Sequence, residues 1–387
     1  MVLKDLFMLN PEIVFLNHGS FGAIPRPVFE SYQRWQRELE WQPVEFLGRR
    51  CDDLLNSARE NLANFLRTSR DNLVFITNAT TGVNILTRNL ALGPEDEVLM
   101  SDHEYGALER AWQFAAQTSG FRLVHQPVRL PITGKEEWIE DFWSGVTHQT
   151  KVIFLSHISS PTAMIFPVKD ICAKARQAGI LTIIDGAHAP GQIDLDLDDL
   201  GADFYTGNLH KWLCAPKGAA FLYARPEVQP LAKPLIVSWG WQSETPGPSP
   251  FVDWHQWTGT RDISAFLTVP DAIQFQRDHD WPAVRQECHR LASTLRQRVT
   301  ALTGLDPLYP DTENWYCQMG TVPLPESVDI IEMKRQLYDH FHIEIPVLQW
   351  NKYKLIRFSL QGYNNMEDVL ALEKALKILL IHVKKTA

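Results

Sequence analysis

The sequence of 387 residues lacks the patterns that mark several large classes of protein. No Lys/Arg-rich run interrupts a chain whose net charge is −9, and this disfavours a nucleic-acid partner. No segment approaches the roughly 18 consecutive apolar residues of a membrane span. The N-terminus also lacks the long apolar stretch of a signal peptide. We therefore expect neither a nucleic-acid nor a membrane partner.

Cysteine is rare, and its five copies are scattered along the chain. Their number is odd and no two of them form a C-x-x-C pair, which argues against a disulfide framework and against a zinc site. Unpaired cysteines are typical of reducing compartments. The sequence thus predicts a cytoplasmic protein with no metal site.

Two phosphate-binding motifs are missing as well. Neither G-x-x-x-x-G-K-[ST] nor G-x-G-x-x-G occurs, so a nucleotide-binding enzyme is disfavoured. What the chain does have is 45% hydrophobic residues, enough for a packed core. Its length exceeds the usual size of a single core and predicts one large domain with a smaller one.

Short apolar strands alternate with helices between residues 73 and 225. The strands are predicted at 73–77, 97–100, 121–124, 152–156, 181–184 and 218–223, and the helices at 83–90, 106–118 and 168–178. This alternation is typical of a mainly parallel sheet covered by helices on both faces. Ligands of such sheets bind at the carboxyl ends of the strands, so the polar residues that follow the strands are the candidates for a site.

The flanking regions have other patterns. Residues 28–66 predict a long helical stretch broken near Pro43, and residues 239–259, rich in Pro, Gly and Trp, predict a long irregular loop. Further elements are predicted after this loop: helices at 264–278, 283–303, 327–340 and 366–382, and strands at 316–323, 342–346 and 354–360. We expect a large domain over residues 16–258 and a small α+β domain over 259–387 together with 1–15.

Asp185 and Lys211 stand where two strands are expected to end. The apolar run Leu181–Ile184 ends on Asp185, and the segment Thr206–Asn208 leads to a His-Lys pair 26 positions after that aspartate. An acid and an amine so placed can hold opposite ends of a small planar cofactor. We hypothesise that it is pyridoxal phosphate, with Lys211 as its Schiff-base partner. Taken alone, Asp185 also fits a helix cap or a Mg²⁺ ligand, and Lys211 a solvated surface charge.

Two turns after neighbouring strands could serve the same ligand. In Asn78–Gly82 the hydroxyl groups of Thr80 and Thr81 precede a helix, whose N-terminus favours an anion. An ordinary capped helix start explains them equally well. The turn Asp102–Tyr105 carries an aromatic ring that could stack on a flat cofactor, or it is an acidic helix cap.

Four other polar residues fit this hypothesis. Arg357 lies in an apolar strand, where an unpaired charge is costly. A clamp on a substrate carboxylate would explain it, and a structural salt bridge is the alternative. His188, three residues after Asp185, is a candidate contact to the ring oxygen of the cofactor, and Asn208 and His210 carry donors suited to a phosphate.

Seven short motifs, in their order and spacing, carry a resemblance to a known family. They are Phe15–Gly22, Asn78–Gly82, Asp102–Gly106, Asp185–His188, Asn208–Lys211, Trp257–Arg261 and Arg357–Gly362. Together they resemble the class V aminotransferase (cysteine desulfurase-like) superfamily, and within it the isopenicillin N epimerase-like branch. The resemblance covers nearly the whole chain. It implies fold type I of the pyridoxal-phosphate-dependent transferases: α/β, with a mainly parallel seven-stranded sheet flanked by helices and a smaller α+β C-terminal domain.

The resemblance also implies roles toward the cofactor. Lys211 forms the Schiff base and then moves protons, while Asp185 pairs with the pyridine nitrogen. Tyr105 stacks on the ring, although His103 is close enough to compete for that place. Phosphate contacts are implied for Thr80, Thr81, Asn208 and His210, and, from the other subunit of a homodimer, for Thr260.

Toward the substrate, the resemblance implies that Arg357 clamps the carboxylate, with Asn17 and His18 nearby. Either Ser159 or Thr162 lies beside the ring oxygen, and the sequence does not decide between them. Cysteine desulfurases carry a nucleophilic cysteine before this arginine. Here Cys317 lies in an apolar segment and is expected in the core, which argues against persulfide-forming chemistry.

The branch implies an enzyme that acts at the α-carbon of an amino acid, with epimerisation as the favoured reaction. C–S lysis and transamination use the same shared residues, so both stay alternatives. A non-catalytic protein that only binds pyridoxal phosphate is a further alternative. The sequence does not define the side chain of the substrate.

Overall fold

The computed structural model describes the backbone of residues 3–386 and the side chains of residues 3–380. The strands, in chain order, are β1 (Val14–Phe15), β2 (Leu73–Ile76), β3 (Glu97–Ser101), β4 (Arg122–Gln126), β5 (Thr150–Ser156), β6 (Leu181–Asp185), β7 (Phe204–Asn208), β8 (Ala220–Ala224), β9 (Met319–Leu324), β10 (Ile343–Glu344), β11 (Val347–Trp350) and β12 (Tyr353–Ser359).

The α-helices are α1 (His18–Phe21), α2 (Arg26–Trp41), α3 (Pro43–Glu45), α4 (Cys51–Leu66), α5 (Ala79–Thr87), α6 (Gly106–Ser119), α7 (Lys135–Trp143), α8 (Val168–Gln177), α9 (Leu197–Leu200), α10 (Pro250–Gln256), α11 (Ser264–Leu267), α12 (Val269–Asp278), α13 (Trp281–Thr303), α14 (Ile330–Phe341) and α15 (Met366–Thr386). A π-helical turn, Phe46–Arg50, links α3 to α4. Short 3₁₀ turns cover Leu3–Leu6, Arg70–Asn72 and Pro226–Leu231.

Seven strands form the central sheet in the order β2-β8-β7-β6-β5-β3-β4. Only β8 runs antiparallel to its two neighbours, and all other pairs are parallel. The inner strands are buried along nearly their whole length because helices cover both faces. The prediction of an α/β fold with a mainly parallel seven-stranded sheet is confirmed.

The parallel order brings the carboxyl ends of β5, β6 and β7 side by side. Ser156 pairs in register with Asp185, and Asp185 pairs in register with Thr206. The chain leaves β7 at Asn208 and enters the turn that contains Lys211. The edge of the sheet at which α/β proteins bind ligands is therefore the edge that carries the predicted acid and amine.

The C-terminal region contains a second, antiparallel sheet in the order β11-β12-β9. The N-terminal strand β1 pairs in parallel with β10, and Asn17 forms an isolated bridge with Ser359 at the end of β12. The first residues of the chain thus join the C-terminal region and lie beside the strand of Arg357. The proposed division into residues 16–258 and residues 259–387 with 1–15 stays a prediction.

Most predicted elements lie within a few residues of their expected places, but two helices differ. Helix α7 was not predicted, although Trp138 and Phe142 are buried at the i, i+4 spacing of one helix face. The loop predicted over 239–259 contains α10. Ser249 caps this helix by accepting a hydrogen bond from the amide of Val252, and Pro250 occupies its first turn. Within the described chain, no helix is long and apolar enough to cross a membrane.

Candidate active site

Asp185 is the last residue of β6 and is almost fully enclosed. Its Oδ1 accepts a hydrogen bond from the amide of Ala187 at 2.9 Å, and no cation lies within ion-pair distance in the described part of the chain. Burial raises its pKa to about 6, against the opposing effects of Ala187 and Lys211. The next helix begins only at Leu197, so Asp185 is not a helix cap. The negative charge of this enclosed carboxylate is balanced by only one hydrogen bond, so a cation in contact with it would stabilise it.

Lys211 lies in the turn after β7, and its Nζ is 3.1 Å from Nε2 of His188. The pKa of Lys211 is lowered to about 8, mainly by burial and to a smaller extent by Arg357, whereas Asp185 opposes the shift. The interpretation of Lys211 as a solvated surface charge is therefore wrong. An amine with such a pKa is neutral in about a tenth of the molecules at pH 7, far more than an ordinary lysine, and the neutral form is the one that can act as a nucleophile or a base.

The start of α5 is held against the lysine turn by two asparagines. Asn208 Oδ1 accepts a hydrogen bond from the amide of Ala79 at 2.9 Å, and Asn78 Oδ1 accepts one from the amide of Thr81 at 2.8 Å. The turn is thus a capped helix start, and it also lies beside Lys211. Its partly exposed Thr80 and Thr81 hydroxyl groups stand where an anion is favoured by the helix terminus.

His210 precedes the lysine and is held by the main chain. Its Nδ1 donates to the carbonyl oxygen of Ala219 at 3.2 Å. Burial first, and then the charge of Lys211, lower the pKa of His210 to about 4. The ring is therefore neutral at neutral pH, and its Nε2 carries no hydrogen unless a bound anion raises the pKa.

Arg357 is buried in β12 without a carboxylate partner. Its Nη1 donates to the carbonyl oxygen of Ser160 at 2.6 Å and to its Oγ at 3.2 Å, and its Nη2 donates to Ser20 Oγ at 3.1 Å. Its Nε is buried with no hydrogen-bond partner among the described residues, which also contain no salt bridge to this arginine. Burial lowers its pKa to about 10. The interpretation as a structural salt bridge is thus wrong, and the free guanidinium is suited to bind a carboxylate.

Asn17 and His18 take different places. Asn17 Oδ1 accepts from Ser20 Oγ at 2.5 Å, so it is one hydrogen bond removed from Arg357. His18 is fully buried, and its Nε2 donates to the carbonyl oxygen of Lys211 at 3.0 Å. The amide of Ala23 donates to its other nitrogen, Nδ1, at 3.3 Å.

The implied role of His18 as a substrate contact is corrected by this geometry, because its ring supports the lysine turn from behind. The loop that carries it comes very close to that turn. A Cβ atom at Gly22, whose φ is +72°, would lie 2.1 Å from the carbonyl oxygen of His210. Only glycine allows this approach.

Tyr105 and His103 are the two candidates for the ring that stacks on the cofactor, and they differ in solvent exposure. Tyr105 is 47% exposed at the start of α6. His103 has no exposed surface, because its ring packs against Trp350 with centroids 4.0 Å apart and bonds to Asp102 at 2.9 Å. Of the two rings, only that of Tyr105 is free to cover a ligand.

Ser159 and Thr162 lie together below the surface. Both are fully buried, and their hydroxyl oxygens are 2.8 Å apart. The structure therefore brings the two candidates to one place and does not separate their roles.

Glu104 is a site residue that the sequence interpretation missed. Its Oε2 accepts hydrogen bonds from the amide and the hydroxyl of Ser156 at 3.0 and 2.6 Å, and its Oε1 accepts one from Ser101 at 2.5 Å. Burial and the nearby charge of Asp185 raise its pKa to about 8. The only signal in the sequence was a carboxyl group in the motif Asp102–Gly106, which gives no indication of its contact with β5.

Thr260 lies elsewhere, on the rim of a cavity of about 740 Å³. The lining also includes Arg49, Trp239 and Trp257, and it contains neither Asp185 nor Lys211. Thr260 is exposed. The structure of one chain thus does not bring Thr260 to the lysine turn.

Solved structures share this fold. A structure described as the complex between the cystine C–S lyase C-DES and its reaction product cysteine persulfide has a TM-score of 0.84 at 20% identity, covering 95% of this chain and 98% of that one. An apo cysteine desulfurase from Thermococcus onnurineus NA1 has a TM-score of 0.83 at 18% identity and covers 99% of each chain. At these identities the likeness concerns the fold.

Sequence relatives are more specific. An isopenicillin N epimerase of Amycolatopsis lactamdurans is 35% identical over 97% of both chains, and one of Streptomyces clavuligerus is 34% identical with the same coverage. A putative L-cysteine desulfhydrase 1 of Oryza sativa subsp. japonica is 27% identical over 93% of this chain and 82% of its own length.

The family model described as aminotransferase class-V matches residues 22–372. This match confirms the resemblance, and with it the predictions of an enzyme and of pyridoxal phosphate as its cofactor. Asp185, Lys211 and Arg357, which the fold brings to one edge of the sheet, all lie inside the matched range. The chain belongs to the class-V aminotransferase family.

Proposed function

We propose that this protein acts on the α-carbon of an amino acid, using pyridoxal phosphate attached through Lys211, in an epimerase-type reaction. One observation carries the proposal. The largely enclosed amine of Lys211 interacts electrostatically with both Asp185 and Arg357, and neither of these two charges has an ion-pair partner among the described residues. An amine, an acid and a carboxylate-binding cation are the three groups that this chemistry requires.

The residues present fit the cofactor. The carboxylate of Asp185, with one backbone donor and no cation, is complementary to a protonated ring nitrogen. The start of α5, with Thr80 and Thr81, and the neighbouring Asn208 and His210 would hold the phosphate. When bound, pyridoxal phosphate supplies an electron sink for a carbanion at the α-carbon.

The remaining residues would orient the substrate. Arg357 would bind the α-carboxylate, with its guanidinium held by Ser20 and Ser160 and with Asn17 supporting Ser20. Lys211, as a neutral amine, would take the α-proton. Tyr105 would cover the face of the ring that is open to solvent. These roles are supported by the placement of the side chains.

Epimerisation is favoured by the relatives at 34–35% identity, which are named isopenicillin N epimerases. C–S lysis is the second candidate, because relatives near 27% identity are named L-cysteine desulfhydrases. A persulfide mechanism is disfavoured by Cys317. Burial raises the pKa of this thiol to about 12, and its Sγ donates to the carbonyl oxygen of Gln192 at 3.2 Å.

The proposal includes a homodimer whose subunits complete each other's sites. Large apolar side chains that line the cavity bordered by Thr260 are exposed: Val44 is 70% exposed and Trp239 84%. A surface of this kind is suited to cover by another chain. The five free thiols support a reducing, cytoplasmic setting.

The experiment is to incubate the purified protein with L- and D-amino acids and with thiol amino acids. Three products are followed separately: α-deuterium incorporation with inversion, keto acid, and sulfide with pyruvate. We expect inversion with deuterium incorporation. Sulfide and pyruvate would identify C–S lysis, keto acid would identify transamination, and no product from any amino acid would favour a binding protein.

The Lys211→Ala variant is the control for the central assignment. Borohydride reduction should abolish the yellow Schiff-base absorbance of the wild-type protein and leave the reduced cofactor covalently attached to Lys211. The same covalent chromophore in Lys211→Ala would overturn the assignment of this lysine.

A further inference from the structure

The side chain of Trp212 determines which hydrogen bond His188 can form with Lys211. Trp212 is fully buried, and its indole Nε1 donates a hydrogen bond to Nδ1 of His188 at 3.3 Å. The other ring nitrogen of His188, Nε2, is 3.1 Å from Nζ of Lys211. The three side chains thus form a chain of hydrogen bonds that ends on the amine.

The direction of this chain follows from the indole. An indole N–H only donates, so Nδ1 of His188 must accept and carries no hydrogen. A neutral imidazole then has its hydrogen on Nε2. Nε2 in turn donates to Nζ of Lys211, and an amine can accept only when it is neutral, because an ammonium group has no lone pair.

The surroundings keep the imidazole neutral. Burial lowers the pKa of His188 well below its usual value, and the nearby positive charges act in the same direction. The titratable or charged groups that act on His188 or Lys211 are Asp185, Arg357, His210 and His18. Asp185 favours the ammonium form of Lys211, and Arg357 opposes it.

We propose that Trp212 is a positioning residue, which fixes His188 in the Nε2–H tautomer and so favours the free-base form of the Lys211 amine. The inference deepens the proposed function, since it rests on Lys211 being the reactive amine. It assigns to the residue after the lysine a role beyond packing. The same tautomer presents an N–H donor to an oxygen acceptor when the amine is engaged elsewhere.

The first test is the tautomer of His188 in the full-length protein freed of cofactor. The ¹⁵N shifts of the two ring nitrogens distinguish a protonated from an unprotonated nitrogen, and His188→Gln assigns the signal. We expect hydrogen on Nε2 and none on Nδ1. The Nδ1–H tautomer, or an imidazolium at neutral pH, would overturn the proposal.

The second test is the ionisation of Lys211, followed by the pH dependence of its acetylation in the cofactor-free chain and read by peptide mass spectrometry. Trp212→Phe removes the N–H and keeps a ring, so Nε2 of His188 is then free to accept from an ammonium group. We expect the profile to move to higher pH and the rate at neutral pH to fall roughly fivefold, as the loss of one hydrogen bond implies. An unchanged profile in a folded Trp212→Phe would overturn the proposal.

A matched control exists in this chain. Trp112 is also fully buried, and its Nε1 has no hydrogen-bond partner among the described residues. Trp112→Phe removes the same group from the core without touching His188, and its Lys211 profile should equal that of the wild type. If borohydride does not attach the cofactor to Lys211 in the wild-type protein, the proposed function is contradicted. If the cofactor is attached there but His188 carries its hydrogen on Nδ1, only the role of Trp212 is contradicted.

Discussion

At the scale of single residues, two buried arginines show what distinguishes a binding cation from a structural one. Arg296 is 2% exposed, and it lies 3.6 Å from Asp311 and donates to the carbonyl oxygen of Tyr309. Arg357 is enclosed to a similar degree but has only serine oxygens as hydrogen-bond partners. An unpaired Nε is common to both arginines, so the counter-charge is the difference between them. Burial of a charge is costly unless a counter-charge is present. The missing counter-charge at Arg357 is best supplied by a substrate.

Arg357→Gln is therefore expected to weaken amino-acid binding roughly 10- to 100-fold, the range for losing hydrogen bonds to a charged group. The measurement is the spectral change of the bound cofactor during titration with an amino acid. Cofactor content should stay at the wild-type level. The control is Arg335→Gln, which alters an exposed arginine paired with Glu332. Unchanged amino-acid affinity in Arg357→Gln would refute the clamp.

Glu104 gives a prediction for stability. Its pKa in the folded protein is about 8, above the usual 4.5, so the folded state holds a proton that the unfolded chain has already released between these values. Stability due to this group therefore falls as the pH rises from about 4.5 to 8. Glu104→Gln removes this dependence, so the melting temperature of the variant relative to wild type should be higher at about pH 8.5 than at about pH 5. If the difference in melting temperature between variant and wild type is the same at both pH values, the pKa of Glu104 is not raised.

The residues predicted from the sequence are those with a local signature. Asp185 and Lys211 each follow a strand that can be recognised from its own apolar run. Ser20, Ser160 and Glu104 have no such signature, because their roles arise from contacts with residues 337, 197 and 52 positions away. The implied role of His18 was wrong for the same reason, since only the folded chain shows that its ring supports the carbonyl group of Lys211.

At the scale of elements, the N-terminus of α5 is expected to contribute both to the stability of the fold and to ligand binding. Asn78 caps the helix, while Asn208 at the end of β7 accepts a hydrogen bond from the amide of Ala79. The two caps hold the first turn of the helix in place beside the lysine turn. A phosphate at this helix start would depend on that first turn.

Asn78→Ala is expected to cost about 1 kcal/mol of unfolding free energy and also to weaken the binding of pyridoxal phosphate. Asp329→Ala is the matched control, since Asp329 caps α14 through the amides of Ile331 and Glu332, away from this edge of the sheet. It should lower stability by a similar amount and leave cofactor affinity unchanged. Denaturant unfolding and cofactor titration measure the two effects. Equal cofactor affinity in both variants would contradict a phosphate site at α5.

Element directions were harder to predict than element positions. Strands β2, β3 and β6 begin where the sequence predicts and end within one residue of the predicted place. The antiparallel direction of β8 has no local signal, because a buried strand has the same apolar run in either direction. Helix α10 was missed because Pro and Gly dominate its surroundings, although Ser249 and Pro250 are themselves a helix-start signal.

At the scale of the whole molecule, buried histidines set the response to acid. Burial is the largest cause of a lowered pKa at six of them: His18, His103, His157, His188, His210 and His255. The pKa of His18 falls to about 3, and those of His157 and His210 fall to about 4. Below the usual value of 6.5 the unfolded chain therefore binds protons that the folded chain does not.

We expect the melting temperature of the cofactor-free protein to fall as the pH is lowered from about 7 to 5. Asp185 and Glu104 oppose this trend, because their raised pKa values make the folded state bind protons in the same range. His125, whose pKa is raised by its hydrogen bond to Glu109, acts in the same direction as these two carboxyl groups. Three groups thus oppose six, so the buried histidines should dominate. Calorimetry at several pH values measures the trend. A melting temperature that rises on acidification would show that the groups with raised pKa values outweigh the buried histidines.

The pairing of β1 with β10 has a consequence for the order of events during synthesis on the ribosome. The whole seven-stranded sheet has been made once residue 224 emerges, so Asp185 and Lys211 can take their places early. Asn17 and Ser20 must wait for β10 and for Arg357, more than a hundred residues later. A nascent chain would thus acquire its cofactor-binding edge first and its substrate clamp last.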